Sequence, residues 1–344
     1  MSLPPVEIPL GAMRFNSDSQ KLEYFNGDVW MQVHTFSPNL DGGARGVICG
    51  QYSGPTLSKT IDYVTITTAG NAADFGDLTT AYFYGCACAS KTRGLYMGGE
   101  PDTDVIDYMT IASTGNAADF GNLTEATRYI PAGGGNDTRG IRAGGVPGPS
   151  SNPQETIDYV TIAQTGNAVD FGNLATRQKY PISTVSSTRM IIAGGIDSPG
   201  HPGGNNVIQY LTFSTLGNSA DFGDLTRNQS AGGTGNACSP TRGMLYTSGN
   251  YPGSSWTYVN NIEYVTTASL GNAVDFGDLS QARGSLGVTS NKVRSIGAGG
   301  YTGSAYVNTI DYVSISTRGN AVDFGDKSVT SSYVGGLSNG HGCL

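Results

Sequence analysis

Six Asp-Phe-Gly triplets place carboxylates at Asp74, Asp119, Asp170, Asp221, Asp275 and Asp323. A carboxylate beside a glycine turn could hold magnesium for phosphoryl transfer. Such chemistry also requires a catalytic-loop signature and a glycine-rich loop with its lysine, and the chain has neither. Lys59-Thr60 follows Gly54 without the second glycine of a phosphate loop. Together with Asp77, Asn122, Asn173, Asp224, Asp278 and Asp326, the triplets could offer oxygen atoms to calcium. Two carboxylates at most per turn fall short of a calcium loop. The histidines, His34, His201 and His341, stand in no order with Ser, Cys or Asp that would pair a nucleophile with a base. Five cysteines without a CxxC pair form neither a disulfide framework nor a zinc site. Cys86 and Cys88 alternate along a strand and read as small buried residues. The expectation is a structural role for the aspartates, with no metal, no cofactor and no catalysis.

The elements that carry these triplets repeat. Thirteen residues before each Asp stands an Ile (Ile61, Ile106, Ile157, Ile208, Ile262, Ile310), and a Tyr follows each Ile two positions later. Successive triplets lie 45 to 54 residues apart, the mark of a repeat architecture. Each repeat reads as four strands: one after Asp-Phe-Gly, as at Arg177 to Thr184; one from an Arg to paired glycines; the Ile-Asp-Tyr-Val-Thr-Ile stretch; and the Asp-Phe-Gly stretch itself. β-Branched and aromatic residues alternate with polar ones, and nothing sustains a helical period. The expected fold is all-β, a six-bladed β-propeller whose C-terminal strand, within Val329 to Gly336, completes the first blade. Phe75, Phe120, Phe171, Phe222, Phe276 and Phe324 are expected to fill the space between blades.

An Arg opens the second strand of every repeat: Arg45, Arg93, Arg139, Arg189, Arg242 and Arg294. A partly buried guanidinium needs a bidentate carboxylate, so each Arg is expected to meet the Asp of its Asp-Phe-Gly. The rival acid, within Ile-Asp-Tyr, becomes Gln209 in the fourth repeat although Arg189 remains.

A net charge of −8 with 19 basic residues argues against nucleic acid as a partner. No apolar run is long enough to span a bilayer, and the N-terminus does not read as a signal peptide. Residues 1–39 read as an extended arm and a β-hairpin turned at Asn26-Gly27, and residues 40–344 as the propeller. A hairpin that small needs partners, so this end is expected to dock or to form a homo-oligomer.

Paired glycines, a Tyr-bearing strand and an aromatic fourth strand resemble the kelch repeat over about 300 residues, with Phe where kelch has Trp. The Asn-Ala-Val-Asp-Phe-Gly phrase departs from kelch and resembles repeats in structural proteins of tailed bacteriophages, marine ones especially. Gly11 to Trp30, with Arg-Phe-Asn, Leu-Glu-Tyr, Asn-Gly and Trp, is similar to a β-hairpin module of phage tail and fibre proteins. The resemblance implies a virion component contacting other virion proteins through residues 1–40. Loop lengths vary after the paired glycines, so the variable loops gather on one face. They carry Tyr52, His201, Tyr251, Trp256, Tyr258, Tyr301 and Tyr306, which suit a host-surface glycan or protein receptor. The expected function is host attachment by a tail fibre- or spike-like appendage. The alternatives are a purely structural capsid or tail decoration protein and a glycan-processing enzyme.

Overall fold

The structure is a computed structural model and describes residues 8–16, 21–32, 44–54, 57–198, 203–247, 249–250, 257–341 and 344. Contacts divide the chain into two compact units, Met1–Gly42 and Gly43–Leu344.

In the first unit, strands Met13–Asn16, Lys21–Phe25 and Trp30–Gln32 form an antiparallel meander, one strand more than a hairpin. Gly27 takes φ +101° in the turn, and the Asn26 side-chain oxygen accepts the amides of Asp28 and Val29 at 3.0 and 2.8 Å. Alternation separates the faces. On one, Glu23 accepts from Asn16 Nδ2 and Arg14 Nε, both at 2.9 Å, and these bonds hold its carboxyl below the usual range. Arg14 also lies 4.1 Å from the Trp30 ring centroid. The other face presents Met13, Phe15, Leu22, Tyr24 and Met31, all exposed.

The second unit is all-β, with no helix among its described residues. Five of the repeats build four-stranded antiparallel sets, for example Ala132–Gly135, Arg139–Ala143, Gln154–Thr161 and Val169–Gln178. Arg177 and Gln178 thus end a fourth strand instead of starting a first one, which begins at Ile182. One set draws on both ends of the unit: Gly335–Ser338 pairs antiparallel with Arg45–Cys49.

Three kinds of contact join each repeat to the next, and each series returns to its start. The first explains the Gly-Asn and Phe-Gly spacing. The amides of Gly115, Gly166, Gly217, Gly271 and Gly319 donate to the Phe carbonyl of the preceding repeat, and Gly70 donates to Phe324. The adjoining Asn side chain accepts a second amide, as from Asp77 to Asn116 at 3.1 Å and from Asp326 to Asn71 at 3.0 Å. The Gly of Phe-Gly is required there, since a Cβ on Gly76 would lie 2.4 Å from the Gly115 carbonyl oxygen.

The second contact corrects the expected Arg–Asp pairs. Each opening Arg lies over the Tyr of its own repeat, with the guanidinium 4.7 to 5.0 Å from the ring centroid. Each then donates to backbone carbonyls of the next repeat: Arg45 to Ile111, Arg93 to Ile162, Arg139 to Phe213, Arg189 to Ala268, Arg242 to Ile315, and Arg294 to Ile66 and Thr67. Asp74, Asp119, Asp170, Asp221, Asp275 and Asp323 are exposed. Ring and carbonyls satisfy the guanidinium without burying a second charge.

The third contact uses the other acid. Asp62, Asp107, Asp158, Glu263 and Asp311 are fully buried, and Gln209 is nearly so. Each bonds a Ser or Thr of the preceding repeat: Ser328 to Asp62 at 2.6 Å, Thr79 to Asp107 at 2.6 Å, Thr124 to Asp158 at 2.7 Å, Thr226 to Glu263 at 2.8 Å and Ser280 to Asp311 at 2.8 Å. Gln209 does the same through its amide, accepting from Thr176 N at 3.2 Å and donating to Thr176 O at 2.8 Å.

Between the repeats lie six apolar clusters, each drawing mainly on two neighbouring repeats, and each holds one of the six phenylalanines at 2% exposure. Burying one such ring contributes roughly 1.5–3 kcal/mol.

The fifth repeat differs. It keeps three strands, Arg242–Tyr246, Asn261–Thr266 and Val274–Asp278. In place of a first strand, Thr234–Gly235 runs parallel to Gly287–Ser290 and Gly335–Ser338. This segment also touches the first strands of the second, third and fourth repeats, so it sits where all of them converge. Only glycine fits: a Cβ at Gly232 would lie 2.2 Å from Ile182, and one at Gly235 2.0 Å from the Val288 carbonyl.

Candidate functional site: a tyrosine-lined cavity

The eighth residue after the Gly of each Phe-Gly is Tyr84, Tyr129, Tyr180, Ala231, Ser285 and Tyr333 in turn. This position precedes the first strand, where the chain turns sharply. Tyr84, Tyr129, Tyr180, Ser285 and Tyr333 all have φ between 56° and 62°. Non-glycine residues adopt that region rarely and at a cost of order 1–3 kcal/mol. Backbone bonds tie these turns together, from Tyr180 N to Tyr129 O at 3.1 Å and from Tyr333 N to Ser285 O at 2.7 Å.

The tyrosines of this column converge. Ring centroids of Tyr84 and Tyr333 are 4.2 Å apart, those of Tyr84 and Tyr129 5.5 Å, those of Tyr84 and Tyr180 5.8 Å, and those of Tyr129 and Tyr180 5.6 Å. Where the column holds Ala231 and Ser285 the rings are missing, and a cavity of about 290 Å³ opens. Its walls are Tyr84, Tyr180, Ala231, Tyr258, Ser285, Tyr301 and Tyr333. Burial, reinforced by neighbouring phenols, pushes the hydroxyls of Tyr84 and Tyr258 well above the usual range, burial does the same at Tyr180, and burial raises that of Tyr333 against a hydrogen bond with Tyr84 that lowers it. They are therefore neutral, hydrogen-bonding groups at physiological pH. Among the described residues charge appears beside the cavity and not in its wall. Arg128 pairs with Glu100 and Asp102, each at 3.1 Å, and both Arg128 and Lys179 rest on the Tyr129 ring.

Four loop residues singled out by sequence join this cluster. Tyr258 and Tyr301 stand 5.7 Å apart and line the cavity. Tyr306 packs on Tyr301 at 5.0 Å and on Tyr52 at 5.7 Å, and Tyr52 reaches Tyr333 at 5.9 Å. His201, Tyr251 and Trp256 lie outside the described residues. Sequence reasoning missed Tyr84, Tyr129, Tyr180 and Tyr333, although their constant offset from Phe-Gly was there to be read. Elsewhere, His341 is buried, with Nδ1 3.8 Å from Cys238 Sγ and Nε2 3.3 Å from the Ala89 carbonyl oxygen. Among the described residues no group of three His, Cys, Asp or Glu side chains converges as a metal site. Burial raises the thiol of Cys86 to about 12, which leaves it inert as a nucleophile at neutral pH.

Comparison with protein-family models gives no match, and comparison with curated proteins gives none.

Proposed function

We propose that residues 43–344 form a six-bladed, kelch-like β-propeller on the surface of a tailed-phage particle, where its tyrosine-rich face attaches to a host-surface glycan or protein without turnover. Six blades are supported by three contact series that each return to their start. The virion assignment rests on the resemblance of the repeat phrase and of Gly11 to Trp30 to phage proteins. The observation that carries binding is the cavity itself, where aromatic loop residues converge on the two places at which the tyrosine column lapses. Aromatic walls with a few polar groups are the usual composition of a ligand site. In this reading the exposed apolar face of the N-terminal sheet docks on other virion proteins and supports a homo-oligomer.

The test is adsorption. Purified full-length protein, added to host cells before the phage, is expected to block adsorption, and gold-labelled antibody is expected at the tail tip. Labelling confined to the head, with adsorption unaffected, would replace this reading with a decoration protein. Release of sugar from host glycans, abolished by a point substitution, would replace it with a glycan-processing enzyme.

A further inference from the structure

We infer that the cavity binds one neutral, hydroxylated six-membered ring, a pyranose unit of a glycan, held against phenol faces in the gap left by Ala231 and Ser285. The inference rests on the proposed ligand-binding role of this face and specifies its chemistry. Size comes first: about 290 Å³ lies at the small end of ligand pockets, roughly 300–1,000 Å³, and suits a single ring. Charge comes next. Among the described residues the cavity wall carries no ionised side chain, so a carboxylate or phosphate entering it would lose water and gain no cation from them. Ring faces attract cations, but the charges beside the cavity do not favour one: Arg128 and Lys179 lie against Tyr129, and Glu100 and Asp102 balance them. Five phenols and the Ser285 hydroxyl present apolar faces next to neutral donors and acceptors. A pyranose has the same combination, C–H groups on its faces and hydroxyls around its rim.

Ser285 supplies the decisive variant. Its φ of 56° matches the 58° to 62° at which Tyr84, Tyr129, Tyr180 and Tyr333 already sit. Ser285→Tyr therefore gives the repeat the ring it has elsewhere and fills the cavity without new backbone strain. Methyl glycosides of the common hexoses, each probed on the full chain by saturation-transfer NMR, are expected to include at least one binder. Its affinity should fall about tenfold or more in Ser285→Tyr, with the melting temperature held. Tyr258→Ala, which removes a wall instead of filling the space, is expected to weaken the same binder. Tetramethylammonium chloride and sodium acetate serve as the cationic and anionic probes. Binding of either in place of every glycoside, or glycoside binding unchanged in both variants, would overturn the inference. The adsorption assay separates the two readings. Equal blocking by wild type and Ser285→Tyr keeps attachment and removes the pyranose site. Glycoside binding without any blocking keeps the site and removes attachment.

Discussion

The amide of Gly70 donates to the carbonyl of Phe324 at 2.7 Å and so joins the first Gly-Asn turn to the last Phe-Gly. The bond is the same one made between consecutive repeats inside the chain, so the seam is closed by the ordinary repeat contact. A Cβ on Gly325 would lie 2.5 Å from the backbone of Gly70, and one on Gly172 would lie 2.5 Å from Gly217. Both glycines have φ near +145°, outside the range of other residues. Gly325→Ala and Gly172→Ala are each expected to destabilise by about 3 kcal/mol, from overpacking and backbone strain together. Urea midpoints check this, and equal losses at the two sites are the specific expectation.

Arg294 and Asp323 separate the observed contact from the expected pair. Arg294 donates to Thr67 O at 2.9 Å and lies 4.7 Å from the Tyr312 centroid, while Asp323 is exposed. Arg294→Met is expected to lower stability by about 1.5–3 kcal/mol, the range for charge-assisted hydrogen bonds. Asp323→Ala should stay within about 0.5 kcal/mol of wild type. A large loss for Asp323→Ala in chemical denaturation would restore the Arg–Asp pairing.

Asp158 sits 2.5 Å from the guanidinium of Arg142, and both side chains are fully buried. Removing Asp158 leaves the buried guanidinium with only the more distant carboxylate of Glu125, at 3.9 Å, so Asp158→Ala is expected to destabilise by about 3–5 kcal/mol. The double variant Arg142→Met with Asp158→Leu should recover much of that loss, because two apolar groups need no partner. Denaturation of the single and double variants gives the coupling directly.

How far the sequence could be read follows from which contacts depend on residue type. The spacing of Ile61 and Asp74, repeated six times, marks strands and register, and the buried Phe75 column follows from it. The partner of Arg45 did not, because a backbone carbonyl such as that of Ile111 has no signature in the residues that flank it. The acid of Ile-Asp-Tyr is no partner of the opening Arg, as Gln209 beside Arg189 indicates; its bridge to the preceding repeat has no signature of its own, and Gln209 makes the same bridge to Thr176 because an amide both accepts and donates. The displaced strand at Thr234–Gly235 also escaped notice. Its glycines carry no strand pattern of their own, and the crowding by Ile182 and Val288 explains them. The cavity depends on what is missing at Ala231 and Ser285, which a search for recurring residues passes over.

Lys327 interrupts another column. The residue two after each Phe-Gly is Leu78, Leu123, Leu174, Leu225 and Leu279, all buried, and then Lys327, also buried at 3% exposure. Its amine donates to Ser331 Oγ. Burial pulls its pKa down to about 7, only partly offset by the attraction of Asp62. In the unfolded chain the amine keeps its ordinary value near 10.5. Below about pH 7 the folded protein must hold a buried ammonium, and the full penalty applies. As pH rises from there toward 10.5 the unfolded chain binds more protons than the folded one, so stability rises by up to about 1.4 kcal/mol per pH unit. Lys327→Leu restores the column and has no such group to titrate. It should therefore be more stable than wild type at pH 6, with the difference smaller at pH 9 by about 2–3 kcal/mol. Comparing the two proteins by urea unfolding at each pH cancels every other titration they share. A difference that stays constant from pH 6 to 9 would mean that the amine keeps one charge state throughout, against the burial that surrounds it.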